Sequence, residues 1–240
     1  MAPRWLPPAL TALVAGAVPA IVVGNSLWVL LNPWLVEAQY ALPGFPGDRL
    51  GLDDGQRTDL AVSGVRSVRP LDEGLTFLRD ARLPDGGRAF TEREISHMGD
   101  VRSVIAGFVV AWAIALGLLL LAAAPLRRFG GRGAVRAALA RGGVLTFLLI
   151  ALVGFVVLID FEGFFGAFHG VFFEGDSWRF DDNDTLLQLY PETFWIVASA
   201  VIVALTLLQA GALALLRRRS SRRVLHATPA APVGNPHARP

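Results

Sequence analysis

The chain has 240 residues, 53% of them hydrophobic, with no cysteine and a formal net charge of +2. Long uninterrupted apolar runs place it in the membrane class rather than among soluble domains of this length. Without cysteine there is no disulfide and no thiol nucleophile, and a small charge excess gathered in two arginine-rich segments is no nucleic-acid signature.

A helix needs roughly 20 apolar residues to cross about 30 Å of hydrocarbon. The first such run is ALTALVAGAVPAIVVGNSLWVLL at 9–31. Pro19 and Ala20 follow small residues much as a signal cleavage site does, but the apolar character continues to Leu31, well past a signal core. Residues 1–31 therefore read as a short N-terminus and a retained first helix.

The insert at 32–103 is too long for a simple connection. Within it LDDGQRTDLAVSGVRSV (52–68) predicts a helix with Leu60 and Val65 on its apolar side. The segments TFLRDARL and RAFTERE flank PDGG (84–87) and predict a β-hairpin. A small α/β cap is the expected product.

Thr91 and Glu94 have the spacing of a capping box, so a helix should begin there and run into VIAGFVVAWAIALGLLLLAAAPL at 104–126. His97 then lies about two turns in, roughly 10 Å ahead of Val104, with Glu94 and Asp100 three residues to either side on nearly one face. The basic segment RRFGGRGAVRAALARGG (127–143) follows, then the apolar VLTFLLIALVGFVVLID (144–160) and an aromatic loop at 161–193. The last run, FWIVASAVIVALTLLQAGALALL (194–216), is introduced by Pro191 and Glu192, residues suited to a helix start. The tail 217–240 lacks apolar periodicity and reads as disordered.

The expected architecture is membrane all-α: four transmembrane helices, with the α/β cap inserted between the first and second. All 22 basic residues are arginine. The positive-inside rule puts the N-terminus, the 127–143 segment and the tail in the cytoplasm, and 32–103 and 161–193 outside. Arginine in the two basic segments reads first as an anchor against anionic lipid. Composition rich in Ala, Arg and Gly, with no Lys, suggests a bacterium with a GC-rich genome, and the expected spans then belong to its cell membrane.

Two of the four histidines, His226 and His237, lie in the tail; His97 and His169 should both lie on the outer face. His169 stands in FGAFHGVFFEGDSWRF (165–180) among phenylalanines. It reads either as a member of an interfacial aromatic belt, bonded to a loop carbonyl, or as half of a general acid/base site served by Glu94, Asp100, Asp160 or Glu162. His97, Asp100 and His169 with one more carboxylate could also hold zinc. Neither His-Glu-x-x-His nor the Gly-x-Ser-x-Gly elbow is present.

FTEREISHMGDV (90–101) and FHGVFFEGDSWRFDDNDTLLQLYPETFW (168–195) resemble the two signature regions of a bacterial integral membrane family, the lipoprotein intramolecular transacylases. The similarity extends over the chain up to its last apolar run. The resemblance implies an acyltransferase that moves an acyl chain from the glycerol ester of a diacylglyceryl lipoprotein to the α-amino group of its N-terminal cysteine, leaving a lyso-form product. It further implies lipid and diacylated lipoproteins as partners, no nucleic acid, and no metal or other cofactor. The family's two functional histidines would fall on His97 and His169. Glu94, Asp100, Trp178, Arg179 and Tyr190 are candidates for substrate positioning or oxyanion contact, and interfacial anchoring accounts equally well for the last three. A zinc-dependent membrane hydrolase and a non-enzymatic membrane partner docking through its cap are the alternatives.

Overall fold

The computed structural model describes residues 3–72, 74–175 and 177–216. Every element among them is an α-helix: α1 Leu6–Leu30, α2 Pro33–Tyr40, α3 Asp54–Val68, α4 Thr76–Asp80, α5 Glu92–Ile159, α6 Phe161–Phe172, α7 Thr185–Leu189 and α8 Glu192–Ala214. The expected tail at 217–240 lies outside the described residues.

Three helices, α1, α5 and α8, are long and apolar enough to cross a membrane where four were expected, and the difference lies in α5, whose two limbs carry the runs at 104–126 and 144–160. The runs at 104–126 and 144–160 fall in the 68-residue α5 as two successive helices meeting at a kink, because the basic segment between them is helical on either side of Gly131. Its alanines and arginines are strong helix formers. The single break is Gly131, whose φ of 72° lies in the left-handed region that glycine enters at no steric cost. There the helix doubles back. Trp112, before the break, stands beside Gly24 of α1, and Gly142, after it, beside Val18, while Leu126 and Ala138 share one buried cluster with Leu10 and Val14. Two limbs thus lie along the same α1, and the chain reverses at Gly131.

Small residues set the approach of these helices. A Cβ on Gly142 would meet Val18 and the Ala15 carbonyl, and one on Gly143 would meet the Ala210 carbonyl and the Ala214 amide. Close backbone contact of this kind is how helices pack where lipid removes the hydrophobic drive. The outer faces carry exposed Leu120, Leu121, Leu148, Leu158 and Ile196, an apolar surface that water would penalise and acyl chains accept.

The cap contains no sheet among the described residues, so the α/β expectation is overturned. TFLRD forms the short helix α4, with Leu78 as its buried anchor. Around the Pro-Asp-Gly-Gly turn only one isolated antiparallel bridge, Arg82 to Arg88, remains of the hairpin. The turn chemistry is present, with Leu83 N donating to Gly87 O at 2.9 Å and Gly86 at φ 85°. A lone two-stranded ribbon is marginal, however, and no third strand is at hand to extend it.

Instead the cap is helix packed on helix. Val36, Leu60, Ala61, Leu78, Phe90, Ile95 and Met98 form one core with Leu186, Leu189, Tyr190 and Phe194. Two arginines tie its loops. Arg102 donates to the carbonyls of Ser67, Arg69, Pro70 and Asp72 at 2.6–3.1 Å, covering the exit of α3. The buried Arg57 donates to Pro46 O and Gln188 O at 2.6 and 3.0 Å.

Candidate functional site

The first turn of α5 sets the position of His97. Thr91 is the N-cap, with the capping box predicted from its spacing: Thr91 N donates to Glu94 Oε2 at 2.7 Å and Glu94 N donates to Thr91 Oγ1 at 3.3 Å. The second carboxylate oxygen, Oε1, accepts from Leu186 N at 2.8 Å, and Thr185 Oγ1 donates to Ala89 O at 2.5 Å. These bonds fix α7 against the start of α5. Glu94 is fully buried and spends both oxygens on this clamp, not on His97.

One turn on, the His97 ring lies against Phe173 at 5.0 Å and Phe180 at 5.1 Å. Its Nδ1 is buried and has no hydrogen-bond partner among the described residues. His97 precedes the apolar run at 104–126, and burial pulls its pKa below the ordinary 6.5; the Asp100 charge opposes this and His169 adds to it. The neutral imidazole is therefore the favoured form at neutral pH.

His169 comes from α6, whose start is fixed by Asp160: its Oδ1 accepts from Gly163 N at 2.8 Å. The expected aromatic loop thus begins with a helix. His169 Nδ1 lies 2.8 Å from Phe165 O. A carbonyl can only accept, so Nδ1 carries the hydrogen and a neutral His169 presents its lone pair at Nε2. Trp178 stacks on the imidazole at 4.5 Å and 27°, and the Arg179 guanidinium lies 5.0 Å over the Trp178 ring. Phe173 reaches His169 at 5.8 Å as well as His97. One phenylalanine therefore joins two imidazoles borne on different helices.

Below His97 opens a cavity of about 370 Å³ between α1 and the first limb of α5, closed by residues of α6, α7 and α8. His97, Val101, Ile105, Phe108 and Trp112 line one wall and Leu31, Leu27 and Gly24 the facing one. The wall is almost wholly apolar. Tyr190 contributes its ring, but its hydroxyl donates to Ala61 O at 2.5 Å, and burial raises its pKa well above the usual range.

Of the residues singled out from sequence, His97 lines the cavity, and His169, Trp178 and Arg179 follow from it in a chain of ring contacts through Phe173. Asp100 is exposed and acts on His97 through its charge. Glu94 and Tyr190 are engaged in holding the cap together. Among the described residues no three of His, Asp and Glu converge as a metal would require. Sequence reasoning passed over Phe180 and Trp112 and took Phe173 only as one of the phenylalanines around His169. For the cavity floor a signal existed: Asn25 and Gln209 are polar residues inside apolar runs, and such residues rarely stand there without a partner.

A helical membrane bundle bearing an apolar cavity lined by His97, with His169 joined to it through Phe173, defines the class: an integral membrane protein built to meet lipid. Residues 70–195 match the family model described as lipoprotein intramolecular transacylase Lit, and the chain belongs to that family. An uncharacterized protein of Aquifex aeolicus (strain VF5) is 31% identical over 190 residues, covering 79% of this chain and 84% of the relative. Among solved structures, the membrane integral lipoprotein intramolecular transacylase Lit of Bacillus cereus superposes with a TM-score of 0.76 at 17% identity, over 94% of this chain and 100% of that one. A structure of the same Bacillus cereus protein carrying a histidine substitution matches with a TM-score of 0.74 at 16% identity, over 93% and 96% of the two chains.

Proposed function

We propose that this chain moves an acyl chain from the glycerol ester of a diacylglyceryl lipoprotein to the α-amino group of that lipoprotein's N-terminal cysteine, with His97 and His169 as the acid/base pair. The observation that carries the reading is the placement of both imidazoles against Phe173, with His97 itself lining the apolar cavity. Family membership supports it independently.

In this reading the cavity takes the acyl chain and leaves the ester carbonyl level with the histidines. The substrate supplies its own nucleophile. An α-ammonium group, with an ordinary pKa of about 7.7–8.0, must lose a proton before it can attack. A neutral imidazole accepts it, the amine nitrogen adds to the ester carbon, and the C–O bond to glycerol breaks as the proton passes to the departing oxygen. One C–N bond is made and one C–O bond is lost; of the two protons the ammonium nitrogen gives up in becoming an amide, one goes to the glycerol oxygen and the other is released from the imidazole to solvent. Holding amine and ester together supplies the main rate advantage, and the phenylalanines keep water from competing for the acyl group.

The arginines of the fold-back, Arg127, Arg128, Arg132, Arg136 and Arg141, favour a cytoplasmic elbow. His97 and His169 stand at the opposite ends of the limbs, so the reading places the site on the extracytoplasmic face of a bacterial cell membrane.

The test is mass spectrometry of a reporter lipoprotein's N-terminal peptide from cells with and without this protein, and with His97→Ala or His169→Ala. Transfer leaves the total mass unchanged, so the acyl position is read from fragments. The expected result is an amide-linked chain only with the intact protein. Loss of an acyl mass would mean hydrolysis instead. An unchanged diacyl form despite good expression, or full conversion by both folded variants, would overturn the assignment.

A further inference from the structure

The lower end of the cavity is not simply where helices meet; Trp112 lines it opposite Gly24, and a polar chain holds the indole in place. Trp112 lies against Gly24, where any Cβ would overlap its ring. Its Nε1 donates to Asn25 Oδ1 at 3.0 Å, and Asn25 Nδ2 donates to Gln209 Oε1 at 2.9 Å. Gln209 Nε2 in turn donates to Ser26 Oγ at 3.2 Å and Leu205 O at 3.1 Å, and Ser26 Oγ pairs with Thr206 Oγ1 at 3.0 Å. The network joins α1, α5 and α8 inside an apolar bundle. There an unpaired amide or indole N–H is expensive, so the indole is confined to one pose.

Resting on the transacylase reading, we propose that Trp112, pinned by Asn25 and Gln209, is a ruler that limits the length of the acyl chain this protein accepts. His97 and Trp112 are 15 residues apart on one limb of α5, which is roughly 22 Å of helix. An extended alkyl chain with carbon–carbon bonds of about 1.5 Å advances about 1.3 Å per carbon, so the cavity holds about 17 carbons between ester and floor. A longer tail must displace the indole and break its bond to Asn25. That overpacking lowers the rate for such chains by about fivefold or more relative to chains that fit.

The experiment gives the purified full-length protein synthetic diacylglyceryl lipopeptides with ester chains on either side of that length, and reads amide-linked product by fragmentation mass spectrometry. The quantity compared is the ratio of rates for over-long and fitting chains. Trp112→Ala removes the floor, and Asn25→Ala keeps the ring but removes its pin. Each should raise the ratio by about fivefold or more. In parallel, a lipopeptide with a photoreactive diazirine at the acyl terminus, at the fitting length, should crosslink to Trp112 or its neighbours on α1.

An unchanged ratio in both folded variants, or crosslinks confined to the cap, overturns the ruler. If the wild-type protein transfers nothing yet the terminal crosslink falls at Trp112, the transacylase reading fails while the chain-measuring floor stands. If both are absent, both are overturned.

Discussion

Glu94→Ala separates two roles that sequence spacing leaves equivalent, a carboxylate serving His97 and a carboxylate serving the fold. Removing the side chain deprives Thr91 of its capping partner, about 1 kcal/mol. Thr91 is exposed, so its amide turns to water. Leu186 N is buried and, among the described residues, donates to Glu94 Oε1 alone. Left orphaned, it costs about 1–3 kcal/mol. The sum is about 2–4 kcal/mol, which for a chain of this size corresponds to a fall in Tm on the order of 5–15 °C. Glu94→Gln should also destabilise, by less. Its two oxygens now accept three hydrogens, and an amide must point an NH₂ at one of those donors. The assay is thermal unfolding of purified protein in detergent, followed by light scattering and tryptophan fluorescence, beside transfer activity measured well below Tm. Destabilised protein with residual activity is the expected pairing. An unshifted melting curve with abolished transfer in both variants would refute the argument and return Glu94 to the chemistry.

Four further outcomes follow from the same geometry. His97→Ala and His169→Ala should each lower transfer by about 10²–10⁴-fold, the usual worth of an acid/base group, with little change in Tm; a loss under tenfold in either would remove that residue from the proton path. Asp100→Asn deletes the charge that raises the His97 pKa, so the acid limb of the kcat/KM profile should move to lower pH, and an unmoved limb would assign it to another group. Burial of His97 also means that the unfolded chain takes up a proton near pH 6.5 that the fold resists, so stability should fall as pH drops below that value, and less steeply in His97→Phe. Gly64→Ala puts a Cβ into the Tyr190 hydroxyl and breaks its bond to Ala61. Against about 1 kcal/mol gained from helix propensity, overpacking and the lost bond leave a net cost of about 1–3 kcal/mol, read by thermal unfolding.

What was legible in the sequence is what local spacing decides. The capping box at Thr91 and Glu94 acts over three residues, and the apolar runs announce their length directly. The hairpin was misread because TFLRD is too short for periodicity to tell helix from strand, and only the tertiary supply of a third strand could have settled it. The basic segment at 127–143 looked like a loop because charge suggested solvent, whereas its alanines and arginines continue the helix to either side of Gly131. The second bond of Glu94 spans 92 residues of sequence and the Asn25–Gln209 pair 184, distances at which no pattern in one sequence speaks. The histidines could be placed on the same face from span counting, but their shared contact, Phe173, depends on α6 being helical and ending at Phe172.

His97 and His169 ride on one covalent run, 34 residues before the fold-back at Gly131 and 38 after it. The separation of the imidazoles is therefore a difference between two helical lengths measured from a common elbow. Each residue inserted into a limb turns everything beyond it by about 100° and advances it by about 1.5 Å. One extra residue between Gly143 and Ile159 would swing α6 through more than a quarter turn and carry His169 off Phe173, though it touched nothing near the site. The same residue added beside Gly131, where the backbone already leaves the helix, would be absorbed by the turn. Register in a stretch of plain apolar helix is thus as much a part of this site as the imidazoles themselves.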